Sequence, residues 1–403
     1  MLQPQEFPHI TSYGATLADT CAAAFALPRN TIRLVFSPYR VCPLGAHLDH
    51  QGGHVLGFTI NAGTLLAYAP APDASISLRS RNFPGIVHIS LDDPLPASTN
   101  HWSDYLRCVV RAFRDSYPLS RGFIGMCSGM LPACGLSSSA SVILAYAFAL
   151  ADVNQLTLQP WDFVRLAHQA ENTYFGLRNG ILDQTTILFG QENNLVHIDT
   201  RNEQVELIPQ PRFAQHCRIL VVFSGLTRQL ISTDYNKRVA ECQRAASLLA
   251  SHCGLPHARV LSDIPLDVFP SHLDLLPPHL HRRALHFFSE SQRVQQGIHA
   301  WRNADFSAFG ALMNASCRSS LELYEVGSPL IRQLHQLLSS APGVLGARFN
   351  GGGFGGCLVA LVTRSLALRA AQYVIDSFFA SHPSLRDHAS IYLANSSHAL
   401  SSL

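Results

Sequence analysis

The chain contains a single lysine, Lys237, so that 28 of its 29 basic residues are arginines. A Walker A loop needs a lysine directly after its glycines, and that pair is absent. Protein-kinase chemistry built on a strand lysine is excluded in the same way. A Schiff-base mechanism would fall to Lys237 alone. Any phosphate here must be held by backbone N–H groups, helix dipoles and arginine. Charge of one sign is also scarce: 29 basic and 27 acidic residues leave a net +2, so neither nucleic acid nor an anionic membrane is expected as a partner. The ten cysteines form no CxxC pair, and the 20 histidines form no HExxH motif. The longest apolar run, residues 140–153, is too short to span a bilayer and contains Ser141 and Asp152. Met1 to Phe7 shows neither a basic start nor an apolar run, so no secretory leader is expected. The thiols are expected to be reduced, mostly buried and cytoplasmic.

What the chain does have is apolar bulk. It is 47% hydrophobic and only 14% charged over 403 residues, more than one simple core accommodates. Alternation predicts a strand over residues 31–41, and residues 55–70 read as two short strands broken at Asn61-Ala62-Gly63. Apolar spacing predicts helices over 101–117, 137–153, 161–174 and 181–189. A polar stretch at 199–215 with Pro209 and Pro211 sets an expected boundary near residue 200, giving domains of 1–200 and 201–403. The second half reads as strands at 218–223, 344–349 and 357–362. Its helices are expected over 234–251, 284–303 and 306–326, with a proline-rich excursion over 254–280.

Three segments carry chemistry. Gly135-Leu136-Ser137-Ser138-Ser139-Ala140 lies between a predicted strand and an apolar helix. Free N–H donors and the positive dipole end make that position an anion site. A serine-capped helix needs only one serine, whereas three stand here. Asn350-Gly351-Gly352-Gly353-Phe354-Gly355-Gly356 has more glycine than a hairpin turn requires, which suits close approach to a ligand or another loop. The segment from Arg40 to His50 gathers Arg40, His47, Asp49 and His50 after a strand. It is either a solvated loop or a polyol site, since carboxylate and imidazole match pairs of hydroxyls.

In this order, the three segments resemble the GHMP kinase family, whose phosphate loop is not a Walker A loop, and within it the galactokinase branch. The RVNLIGEHTDYNGG-like segment of that branch reads here RVCPLGAHLDHQGG from Arg40, and GLSSSA matches outright. Gly351 to Cys357 resembles GAGFGGC, Gly180-Ile181-Leu182-Asp183-Gln184 resembles GIMDQ, and Ser232-Thr233-Asp234-Tyr235 resembles SSEY. The resemblance runs from about residue 30 to 365. It implies an α+β fold of two domains with mixed sheets and the active site in the cleft between them. It also implies ATP and Mg²⁺ as cofactors and a sugar or uronic acid as substrate. Nothing in the sequence fixes an oligomeric state.

Roles follow residue by residue from the resemblance. Asp183 is the catalytic base and Arg40 its partner. His47, Asp49 and Tyr235 border the sugar. Gly135, Leu136, Ser137, Ser138 and Ser139 hold phosphates, with Arg228 nearby. Trp102 and Tyr105, spaced i and i+3 on one predicted helix, contact adenine or else pack in the core. Ser139 and Glu171 hold Mg²⁺. Two departures bear on the substrate: Ala46 replaces the glutamate of the galactokinase pattern, and His50 its tyrosine. A glutamate there would face the C6 carboxylate of a uronic acid, and like charges about 4 Å apart cost roughly 4 kcal/mol at an effective dielectric of 20. Alanine removes that repulsion. Arg178, five positions before Asp183, either offers a fork for the carboxylate or makes a surface ion pair. The segments PYRVCPLGAHLDHQGG and GLRNGILDQ are also similar to those of galacturonate-phosphorylating members of the branch. The expected reaction is phosphorylation of the anomeric hydroxyl of D-galacturonate. D-Galactose as substrate, or a non-catalytic sugar-binding regulator, stands as the alternative.

Overall fold

The computed structural model describes residues 2–226, 234–267, 269–353 and 355–403. Two sheets organise it. The larger runs in the order Ser401–Ser402, Arg33–Val41, His54–Pro70, Phe123–Gly129, Ser75–Ser80, Ile86–Ser90. A hairpin of Asn194–Asp199 and Gln204–Pro209 pairs onto the start of the His54–Pro70 strand. The smaller sheet runs Pro4–Glu6, Ser390–Ala394, Cys217–Phe223, Cys357–Thr363, Val344–Phe349. One parallel pair in each sheet, among antiparallel neighbours, makes both mixed. Residue 200 falls at the turn of the hairpin, and the chain ends cross over: the first strand joins the smaller sheet and the last joins the larger.

The alternation read from the sequence has a direct cause. Phe36, Leu65 and Ala67 point to one face of the larger sheet, under the Ile10–Phe25 helix. Val35, Leu66 and Tyr68 point to the other, under the Ser138–Val153 helix. The Ile10–Phe25 helix goes beyond the sequence expectation. Its buried face is Gly14, Leu17, Ala18 and Cys21, too small to give a strong periodic signal.

Residues 54–70 form one continuous strand, against the expected break. The Asn61-Ala62-Gly63 turn signal is absorbed in a bulge, where Pro38 pairs with Gly63 and Tyr39 with Ile60. The helix expected from 284 begins earlier, at Pro278, inside the proline-rich stretch. Its two leading prolines suit a first turn, whose N–H groups have no helical partner. No helix among the described residues is long and apolar enough to cross a membrane.

Candidate functional site

The Arg33–Val41 strand ends by directing Arg40 into a cavity lined from both halves of the chain. The first half supplies Arg40, His47, Asp49, Gly135, Ser137 to Ser139 and Asp183, and the second supplies Tyr235, Arg348 and the Asn350 to Gly353 turn. Arg40 is buried, and its Nε donates to Asp183 Oδ1 at 2.6 Å. Asp183 sits in the first turn of the Leu182–Phe189 helix, where the helix dipole favours a carboxylate. Its other oxygen accepts from Ser137 Oγ at 2.7 Å. Arg40 Nη1 is buried with no hydrogen-bond partner among the described residues, a donor that suits an incoming anionic oxygen.

Ser137 marks where the bland reading of the serine run gives way. It stands before the Ser138–Val153 helix in a left-handed conformation and makes no cap hydrogen bond. Its hydroxyl goes to Asp183 instead, while Ser138 Oγ accepts from Ala133 N at 3.1 Å. Leu136 faces the core, and its carbonyl accepts from Arg40 N. The glycine-rich turn closes onto this loop: a Cβ on Gly135 would lie 2.8 Å from Asn350 O. Asn350 fastens the two halves. Its Nδ2 donates to the carbonyls of Arg40 and Gly135, and its Oδ1 accepts from Cys42 N.

His47 and Asp49 line the cavity on the side of the Arg40 loop. A side chain on Gly180 would meet the Asp49 carboxylate at 2.5 Å, so the glycine of the NGILDQ segment makes room for it. Burial, then the charge of Asp183, raises the pKa of Asp49. His47 stacks on Tyr324 at 4.3 Å between ring centroids. His50 does not line the cavity. Its Nδ1 accepts from Gln51 Nε2, so its Nε2 carries the proton and donates to Tyr324 Oη at 2.9 Å. It therefore stands behind the His47–Tyr324 stack. Tyr235 opens the Tyr235–His252 helix and lines the cavity.

Ala46 lines the cavity, and its carbonyl accepts from His286 Nε2 at 3.1 Å. Burial lowers the pKa of His47, His50 and His286, with His50 and His286 brought to about 4; at His286 it outweighs the opposing charge of Glu290. The unfolded chain protonates such rings near 6.5, so between these values it binds more protons than the folded chain. Stability is lost as pH falls through that window. For the fully buried His286 the expected loss is on the order of 3 kcal/mol. Urea unfolding midpoints should drop between pH 7 and pH 4.5, and less steeply for His286→Gln. An equal slope in the variant would remove His286 from the account.

Glu171 is buried at the inner end of the cavity, where Oε2 accepts from Asn179 Nδ2 at 2.9 Å and Gln184 Nε2 at 2.6 Å. Burial, then the charge of Asp183, raises its pKa to about 7, and the Ser139 hydroxyl bonds to it. A second cavity adjoins the phosphate loop, lined by Trp102, Tyr105, Phe83, Tyr146 and Ser139 among others. Trp102 and Tyr105 both reach it but do not share a helix: Trp102 lies in the turn before the Asp104–Arg114 helix. Besides His50, two expected residues are not brought in. Arg178 is exposed and lines neither cavity; its backbone N–H donates to Asn236 Oδ1. Arg228 lies outside the described residues. Sequence reasoning missed Arg348 and the stapling role of Asn350. The asparagine had a signal, its place at the head of the glycine run; Arg348 had none.

Comparison with known proteins follows the same lines. A family model described as GHMP kinases N terminal domain matches residues 104–191, and one described as GHMP kinases C terminal matches residues 298–380. A galacturonokinase from Arabidopsis thaliana is 41% identical over 390 residues, covering 91% of this chain and 92% of its own. A galactokinase from Enterococcus faecalis is 32% identical, covering 82% and 85%. The Lactococcus lactis galactokinase complexed with galactose superposes with a TM-score of 0.88 at 29% identity, covering 96% of this chain and 99% of that one. The Methanococcus jannaschii mevalonate kinase, at 17% identity and a TM-score of 0.65, shares the fold.

Proposed function

This chain belongs to the GHMP kinase family, and from that premise we propose that it is a sugar 1-kinase acting on D-galacturonate. It transfers the γ-phosphoryl group of ATP to the anomeric hydroxyl, giving ADP and galacturonate 1-phosphate. The observation that carries the reading is Asp183, held by Arg40 and Ser137 where the sugar loop meets the phosphate loop. Asp183 takes the proton of the anomeric hydroxyl as that oxygen bonds to phosphorus. The bond from phosphorus to the bridging oxygen breaks, and ADP leaves. Arg40 orients the Asp183 carboxylate through its Nε and uses its free Nη1 to offset charge on the transferring group. Phosphoryl transfer depends on such positioning more than on covalent chemistry.

The nucleotide phosphates rest on Gly135 to Ser139 at the amino end of the Ser138–Val153 helix, where N–H groups and the dipole replace the missing lysine. The second cavity, with Trp102 and Tyr105, takes the adenine. Ser139 and Glu171 fit Mg²⁺, which prefers few protein oxygens and keeps several waters. Asn179 Oδ1, buried beside them without a partner among the described residues, is a further oxygen that suits a hydrated cation. When bound, Mg²⁺ supplies charge neutralisation at the phosphates.

Ala46 and the 41% identical galacturonokinase support the uronate. Retained His47 and Asp49, and the galactokinase relatives, favour D-galactose as the second reading. The test is ADP release with ATP and Mg²⁺ over D-galacturonate, D-glucuronate, D-galactose and L-arabinose, with the product checked by ³¹P NMR for an anomeric phosphate. Preference for D-galacturonate is expected. Preference for D-galactose would replace the substrate, and binding without turnover would replace the enzyme with a regulator.

A further inference from the structure

The Arg33–Val41 strand pairs with His54–Pro70 along one edge, and Ser401–Ser402 covers its other edge only opposite Val35 and Phe36. At Arg40 that second edge has no strand beside it, and its backbone groups need other partners. Arg40 N donates to Leu136 O at 3.3 Å. Arg40 O and Cys42 N, the next groups along the same edge, both go to one side chain. Asn350 Nδ2 donates to Arg40 O at 3.1 Å, and Asn350 Oδ1 accepts from Cys42 N at 3.0 Å. The side-chain amide thus stands where a peptide group of a neighbouring strand would. Its Nδ2 also donates to Gly135 O at 2.9 Å, in the phosphate loop.

Asn350 is 1% exposed, and its bonds to Arg40, Gly135 and Cys42 use both protons of the amide and its oxygen. Aspartate has no donor for the two carbonyls, and serine has one. The backbones here touch without side chains between them: a Cβ on Gly351 would lie 2.9 Å from Gly135 O, and Cys357 N donates to Cys134 O at 2.6 Å. The two segments that Asn350 ties together hold opposite oxygens of Asp183, one through Arg40 Nε and the other through Ser137 Oγ. We propose that Asn350 is a positioning residue that sets the sugar loop against the phosphate loop, so that the Asp183 carboxylate, the anomeric hydroxyl and the γ-phosphoryl group come into line. This rests on the phosphoryl-transfer reading above. Each loop binds its own ligand with its own groups, and Asn350 fixes the relation between them. Its loss is therefore felt when both ligands react and little when either binds alone.

The test measures single-turnover phosphoryl transfer to whichever of D-galacturonate and D-galactose the wild type prefers, beside the Kd of that sugar alone and of ATP alone. It is run on the wild type, Asn350→Ala, Asn350→Ser and Gln210→Ala. Asn350→Ala should slow transfer about 100-fold, the cost of roughly 1 Å of misplacement at the reacting atoms. Both Kd values should stay within about threefold, because an interaction expressed only in the transition state leaves ground-state binding alone. Asn350→Ser keeps one donor and should lose about tenfold, between the alanine variant and the wild type. Gln210 is the control: its buried amide also donates to a distant carbonyl, Trp301 O at 2.6 Å, but it lines neither cavity. Gln210→Ala should lower the melting temperature and leave transfer unchanged. Transfer in Asn350→Ala within about threefold of wild type would overturn the proposal, as would a loss of binary affinity that matches the loss of transfer. Equal slowing in Gln210→Ala would do the same, since any buried staple would then serve. If Asn350→Ala fails to fold, the serine variant decides, and wild-type transfer in it is the contrary result. A wild type that phosphorylates neither sugar removes the proposed reaction and the positioning role together. Wild-type transfer that survives Asn350→Ala removes the positioning role alone.

Discussion

Asp183→Asn is expected to lower kcat by about a thousandfold, within the range for loss of a general base. KM for sugar and ATP should stay within a few-fold, and the melting temperature close to wild type. An asparagine oxygen can still accept from Arg40 Nε, and Ser137 Oγ can turn to accept from the new NH₂ group, so the local frame survives. What disappears is the acceptor for the anomeric proton and the negative charge that balances Arg40. Single-turnover phosphoryl transfer measures the step directly. A loss below about tenfold, smaller than a general base supplies, would show that Asp183 positions the sugar and that the proton leaves by another route.

The second large effect is a change of substrate. Ala46→Glu should reduce kcat/KM for D-galacturonate by about three orders of magnitude and leave D-galactose unchanged or improved. The magnitude follows from charge: roughly 4 kcal/mol for like charges about 4 Å apart at an effective dielectric of 20. That exceeds anything the added side-chain bulk would cost a flexible glutamate reaching into an open cavity. Competition kinetics with both sugars present in one reaction, read by product ratio, gives the result without separate enzyme preparations. Equal loss on both sugars would mean that position 46 controls only the shape of the cavity.

The two predictions bear on different links between structure and function. Asp183 concerns chemistry, and its environment comes mainly from the first half of the chain. Ala46 concerns recognition, and it lies where the two halves meet, with its carbonyl fixed by His286 from the Pro278–Arg302 helix. A change there is therefore read against groups far away in sequence.

How much was legible varied with the range of the interaction. The strand over 31–41, the helices around the phosphate loop and the three motif segments all depend on neighbours within one or two turns, and the sequence carries those patterns openly. Asp183 and Arg40 could be named because their local motifs are distinctive. The helix over Ile10–Phe25 could not be, since its buried face is built of small residues. The turn signal at Asn61-Ala62-Gly63 misled, because Asn61 satisfies its polar groups on Asn395, more than 300 residues away, and the strand continues through it.

By itself the sequence determined that no Walker-type lysine is present, that any phosphate must be held by backbone N–H groups, helix dipoles and arginine, and that position 46 carries no charge. These are statements about residue types, and composition and local order suffice for them. Only the tertiary structure decided which arginine faces the cavity. Arg178 lies next to the Asp183 motif in sequence but points to solvent, while Arg348, remote in sequence, is brought in by the pairing of its strand with Cys357–Thr363. The reason is physical: whether a charge is solvated or must find a partner depends on burial, and burial is fixed by packing between segments that the sequence does not place side by side.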